Sequence, residues 1–202
     1  MARRSDHSRD EIRQMALDAA EKIIIQHGYK GLSARKIATD MGYTVGTLYL
    51  IFKNLDELIL HLNMHTLDAL YEQMGITVER NPAPEKCVQA LCRAYYDFAC
   101  SNTHRWSLMF EHNLSEDMGI PEWFSAKVAY GFTLLERVLQ PLVKEKKPAE
   151  VCIAARALWG GVHGITMLAV TDKLDVSGVN SVTEILDSLV ENYMQGFVSG
   201  AG

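Results

Sequence analysis

Apolar residues recur every three or four positions along almost the whole chain, the spacing that gathers them on one face of an α-helix. Ile12, Ala16, Ala19, Ala20, Ile23 and Ile24 form the first such stripe, and Gly28 behind it predicts a C-terminal cap. Ser33 predicts the cap of a short helix carrying Ile37, Ala38 and Met41 and stopped at Gly42. Thr44 predicts that of another, carrying Leu48, Ile51 and Phe52. A fourth helix starts near Asn54 with Leu55, Leu58, Ile59 and Leu62, and Pro82 and Pro84 interrupt the pattern before a helix that runs to about Cys100. Pro121 and Pro148 stand where first-turn prolines belong, ahead of two long apolar stretches. Ser181, Val182, Thr183 and Glu184 fit a capping box, and Val182, Ile185, Leu186, Leu189, Val190, Tyr193, Met194 and Phe197 follow at helical spacing. No stretch alternates convincingly and no Asn-Gly or Asp-Gly hairpin turn occurs. These patterns predict an all-α protein of about nine helices.

Composition changes this picture little, because 48% hydrophobic and 22% charged residues are what a soluble globular chain carries. Charge changes it more. The net charge of −5 taken alone argues against nucleic acid, yet residues 1–53 hold nine Lys/Arg against six Asp/Glu. The remainder holds eleven against nineteen, so a basic head precedes an acidic body and only the head suits phosphate. Cys87, Cys92, Cys100 and Cys152 lie in apolar helical stretches without a CxxC, which reads as reduced core cysteines rather than a redox or metal sensor. The basic N-terminus lacks the apolar segment of a secretion signal, and a cytoplasmic location is expected. The window from Val151 to Val170 is long enough to span a bilayer. Arg156, His163 and its many Ala and Gly residues make it read instead as a buried helix of a protein with no membrane partner.

The informative element is the pair of short helices joined at Gly42, over residues 33–52. The spacing from Ala38 to Gly42 suits a helix-turn-helix: a small residue lets the second helix pack close, and glycine accepts the positive φ of the tight turn. A helix beginning at Thr44 would offer its first turn to a DNA major groove. Ser33, Arg35, Lys36, Thr44, Thr47, Tyr49 and Lys53 can all donate hydrogen bonds to phosphate. Two short helices in any bundle could share that bare spacing, so the wider run matters more. Gly28, Tyr29, Leu32, Ser33, Ile37, Ala38, Gly42, Gly46, Thr47, Leu48, Tyr49, Phe52 and Leu58, in this order and at these intervals, resemble the tetracycline-repressor (TetR) family of regulators. The resemblance covers residues 9 to about 70. It implies a helix-turn-helix DNA-binding domain over 9–70 and an effector-binding and dimerisation domain over 71–202. Carried over by position, it makes Ser33, Arg35, Thr44, Val45, Thr47, Tyr49 and Lys53 DNA-facing, with Gly46 admitting the backbone close to the duplex.

Two positions depart from the family pattern. Ile51 stands where the family often has His or Tyr, and Leu55 where it usually has Lys. Both commonly serve the phosphate backbone, so the departures imply a weaker grip or compensation by Lys53, with the packing residues untouched.

The body is less explicit. Trp159, Gly160, Gly161, Val162, His163 and Gly164 resemble the Trp-His-Gly motif of one subgroup of these regulators. His163 is either a satisfied core histidine beside a packing Trp or a contact to a ligand. Trp106, Met109, Phe110, Trp123 and Phe124 concentrate aromatic and Met side chains that pack a core or, with Trp159, His163 and Met167, line a pocket for a small apolar organic effector. His61 and His65 have a metal-compatible spacing but no evident third ligand, and no metal or other cofactor is expected. The Lys144, Lys146 and Lys147 run reads as a solvated loop. No GxSxG, P-loop, HExxH or dinucleotide fingerprint supports an enzyme, and a helical interaction module leaves the basic head unexplained. The expected protein is a dimer joined through its last two helices, regulating transcription from a palindromic operator, most simply as a repressor released by its effector.

Overall fold

A computed structural model describes residues 7–116, 118–143, 146–174 and 181–199. Within them lie nine α-helices: α1 (Arg9–His27), α2 (Ala34–Met41), α3 (Val45–Ile51), α4 (Leu55–Arg80), α5 (Pro84–Ser101), α6 (Thr103–Glu111), α7 (Glu122–Leu139), α8 (Pro148–Val170) and α9 (Val182–Ser199). Short 3-10 turns occupy Tyr29–Gly31 and Gln140–Leu142, and no strand occurs among the described residues. Lys144 of the lysine run lies outside them.

The start signals act as their chemistry requires. Ser8 and Glu11 form a reciprocal capping box on α1. Ser33 and Thr44 accept the backbone N–H groups of Lys36 and Thr47, and Asn54 accepts that of Glu57. Ser181 does the same for Glu184 on α9. Gly28 ends α1 at φ +65° and Gly42 ends α2 in the left-handed region at φ +72°.

The chain divides into two compact units. The first comprises residues 1–66 and 104–124, the second residues 67–103 and 125–202. In the first, α1 buries Ile12, Ala16, Leu17, Ala19, Ala20, Ile23 and Ile24 against Ile37 and Met41 of α2, Leu48 of α3 and Leu58, Ile59 and Leu62 of α4. Leu108 of α6 completes this core, a contribution from 46 positions beyond Leu62 in the chain. In the second unit, α5, α8 and α9 pack on one another through Val88, Leu91, Val151, Ala155, Leu158, Leu186 and Val190.

Helix α8 is long and apolar enough to cross a membrane by length and composition, with 33% of its most apolar window buried. Its inward face packs in the second unit. Ile153, Ala157, Gly160, Gly164 and Leu168 form an open face, so the helix is half-covered rather than fully enclosed. The cysteines also divide. Cys87 and Cys92 are buried, but Cys152 is only partly so and Cys100 is exposed, so core packing explains two of the four.

Candidate nucleic-acid interface and effector region

Helix α3 has seven residues, too few to persist alone, and owes its shape to its cap and to Leu48 driven into the core. Its outer surface carries Thr44, Gly46, Tyr49 and Leu50, all exposed, with Val45 and Thr47 half-buried. The Thr44 and Thr47 hydroxyls are 3.1 Å apart, and a Cβ built on Gly46 would meet only Thr44 Oγ1, at 3.6 Å. Arg35, Lys36 and Lys53 are exposed. The Lys36 ammonium donates to the Gly31 carbonyl at 2.8 Å, leaving two protons for an outside acceptor. No carboxylate lies between Asp40 and Asp56, and Asp40 is neutralised by Lys22 at 2.9 Å. All nine sequence-predicted DNA-facing residues thus fall on α2, α3 or their caps and flanks in one unit.

Three features of this unit were either missed by the sequence reading or, for Ile51 and Leu55, read differently from what the structure shows. Leu50 is 75% exposed on α3, and the Arg9 guanidinium donates to its carbonyl at 3.3 Å. Ile51 and Leu55 pack against the apolar core. The family departures therefore do touch the packing, replacing polar side chains with apolar ones that the core uses. The third feature joins α4 to the segment after α6. His112 sets Nδ1 3.0 Å from the Tyr29 hydroxyl and Nε2 3.1 Å from Asp56, while Ser115 donates to the other Asp56 oxygen through Oγ at 2.7 Å. The Ser115 bonds hold the Asp56 carboxyl below its usual range, and burial lowers the His112 imidazole against the pull of Asp56. Tyr29 appeared in the sequence pattern only as a family marker, and contacts across 56 to 83 positions leave no local signal.

The predicted effector residues divide between the units. Trp106, Met109, Phe110, Trp123 and Phe124 lie in the first, where Trp106 is fully buried and Trp123 stacks on His61 at 4.8 Å. His61 also accepts from Arg13 at 2.5 Å, and burial followed by Arg13 lowers its basicity. Trp159, His163 and Met167 lie in the second unit. There Trp159 stacks on His163 at 5.0 Å and meets Phe132 edge-on at 5.4 Å, and the Tyr95 hydroxyl is hydrogen-bonded to His163 Nδ1 at 2.9 Å. Burial lowers the His163 imidazole, which favours its neutral form. A separate groove of about 490 Å³ in this unit is polar, lined by Gln73, Thr77, Asn81, Lys86, Gln89 and Arg93 among others. None of the predicted effector residues lines it.

Against known proteins, residues 16–62 match the family model described as bacterial regulatory proteins, tetR family, and residues 88–193 match the tetracyclin repressor-like, C-terminal domain. The fatty acid metabolism regulator protein of Bacillus subtilis is 24% identical over 184 residues, covering 87% of this chain and 94% of that protein. A Rhodococcus sp. RHA1 protein of unknown function has the same fold, with a TM-score of 0.75 at 21% identity over 97% of this chain and 98% of the other. The Bacillus subtilis transcriptional regulator FadR, solved in complex with stearoyl-CoA, superposes with a TM-score of 0.60 at 18% identity, over 91% of this chain and 98% of that one.

Proposed function

The chain belongs to the TetR family of transcriptional regulators, and from that premise we propose how it binds DNA, assembles and responds to an effector. Residues 9–70 bind a near-palindromic operator, with Ser33, Arg35, Lys36, Tyr49 and Lys53 on phosphates and Thr44, Val45 and Thr47 near base edges. Residues 71–202 carry the effector and the dimer contact. The protein acts by binding rather than catalysis, in the cytoplasm where its DNA lies.

The observation that carries this reading is the outer surface of α3, capped by Thr44, bare at Gly46 and free of carboxylates. Selection of duplexes from a random pool, followed by gel shift, tests it. A palindromic consensus with half-sites about 34–36 Å apart is expected, and failure to enrich any duplex would overturn it.

The dimer uses the last two helices. On α8, Ile153, Ala157, Gly160, Gly164 and Leu168 share one exposed face, and nothing stands within 4 Å of a Cβ built on Gly160 or Gly164. A second copy can lay its own α8 there at close range, burying both apolar faces in a two-fold contact. The α9 stripe contributes less than its length suggests, because Leu186 and Val190 are buried, Leu189 sits on Gly161 and the Tyr193 hydroxyl donates to the Ala154 carbonyl at 3.1 Å.

The effector is a small, largely apolar organic molecule that favours the form unable to hold the operator. Long-chain acyl thioesters are the first class to test, given the similarity to a fatty acid metabolism regulator and to a fold solved with stearoyl-CoA. Titration should weaken DNA binding about 5–150-fold, and operator should weaken the effector by the same factor. DNA binding that ignores acyl thioesters would remove this class while leaving the regulator.

A further inference from the structure

We propose that Leu50 is a base-reading residue that selects thymine by apolar contact with its 5-methyl group. The inference deepens the DNA-binding reading and rests on it. Successive residues of a helix turn by about 100°, so two steps from the buried Leu48 place Leu50 on the opposite face of α3. Gly46, one turn earlier, shares that outward face, and Thr47 stands beside it one turn before Leu50. With no side chain at Gly46 the helix backbone can approach a duplex closely, and beside that bare position Leu50 is the most exposed large apolar side chain among the described residues. A leucine 75% exposed is ordinary on a protein surface at large. Here it stands on the last turn of the helix proposed to meet DNA, on the same face as the bare Gly46.

Its chemistry narrows what it can read. A leucine neither donates nor accepts hydrogen bonds, so it cannot use the donor and acceptor pattern of a base pair. In the major groove the thymine methyl is the apolar group a base edge offers. The position is also held in place. Arg9 donates to the Leu50 carbonyl, and Phe52, two residues on, is 1% exposed in the core, so the end of α3 is anchored on both sides. The methyl groups of Leu50 are left facing outward from a fixed backbone.

The experiment starts from the duplex selected by the wild-type protein. Each thymine is replaced in turn by deoxyuridine, which removes the 5-methyl group and leaves every hydrogen-bonding atom in place. One position per half-site should lose affinity on the order of fourfold, the worth of burying one methyl-sized group. Leu50→Ala should bind the parent duplex more weakly and be indifferent to deoxyuridine at that same position. If no replacement weakens the wild-type protein, the contact does not exist, whatever the variant does. If Leu50→Ala keeps the wild-type sensitivity, another side chain reads the methyl. Both results leave the regulator intact, whereas a pool that yields no bound duplex overturns the DNA-binding reading and this inference together.

Discussion

Gly42 at φ +72° has nothing within 4 Å of where its Cβ would stand, so Gly42→Ala tests backbone strain without steric collision. The left-handed conformation should cost about 1–2 kcal/mol, read as a lowered denaturant midpoint with unchanged slope. This residue was legible in the sequence because glycine is the residue that adopts a positive φ most readily at such a turn between two capped helices. Ile51 and Leu55 were not legible in the same way: a family pattern marks them as missing phosphate contacts, and only the fold shows them serving the core. The histidines give a pH dependence. His61, His112 and His163 are all held below their ordinary value of 6.5, with burial the largest cause in each. As pH falls through about 6.5, the unfolded chain takes up protons that the folded form resists, so stability present above that pH is lost below it. The unfolding temperature should drop between about pH 7.5 and 5.5, and His163→Gln should flatten part of the slope. An unfolding temperature that held steady or rose on acidification would contradict these environments.

Helix α3 depends on its cap, Thr44, more than longer helices do on theirs. Thr44→Ala removes the acceptor for the Thr47 N–H and should cost about 1 kcal/mol of stability, while Thr44→Ser should keep most of it. Because Thr44 is proposed to stand near a base edge, Thr44→Ala should also narrow the difference in affinity between the selected duplex and unrelated ones. Equal weakening of both would mean instead that Thr44 acts only by shaping the helix. Most helices could be read from periodicity and caps, because both signals are local. Helix α6 could be read as a helix but not placed. Its aromatic residues resemble a pocket wall in composition, whereas Leu108 joins the core of α1 to α4 and Trp106 is fully buried. The Asp56, His112, Ser115 and Tyr29 cluster was invisible for the same reason, since such pairings depend on tertiary packing and leave no trace in spacing.

At the scale of the whole molecule, the open face of α8 makes a clean test of assembly. Gly164 lies on an exposed face and a Cβ built there meets nothing within 4 Å among the described residues, so Gly164→Arg should fold as well as the parent. If that face joins two copies, the variant should run as a monomer by light scattering and lose most operator affinity, because one reading helix cannot span two half-sites. A fully dimeric Gly164→Arg would move the interface elsewhere. Leu189→Glu is a poorer probe, since Leu189 packs on Gly161 of its own chain and its loss disturbs folding as well as association. The interleaving of the two compact units also bears on how such regulators can be recombined. The chain passes from one to the other three times, near residues 66, 103 and 124. A hybrid made at a single crossover after α4 would pair the incoming α1 to α4 core with a foreign Leu108 and would strand Asp56 opposite a segment not selected for it. Shuffled specificities should therefore be inherited as two separated stretches of gene. A triple-crossover chimera carrying residues 104–124 with the head should remain soluble where the single-crossover version aggregates.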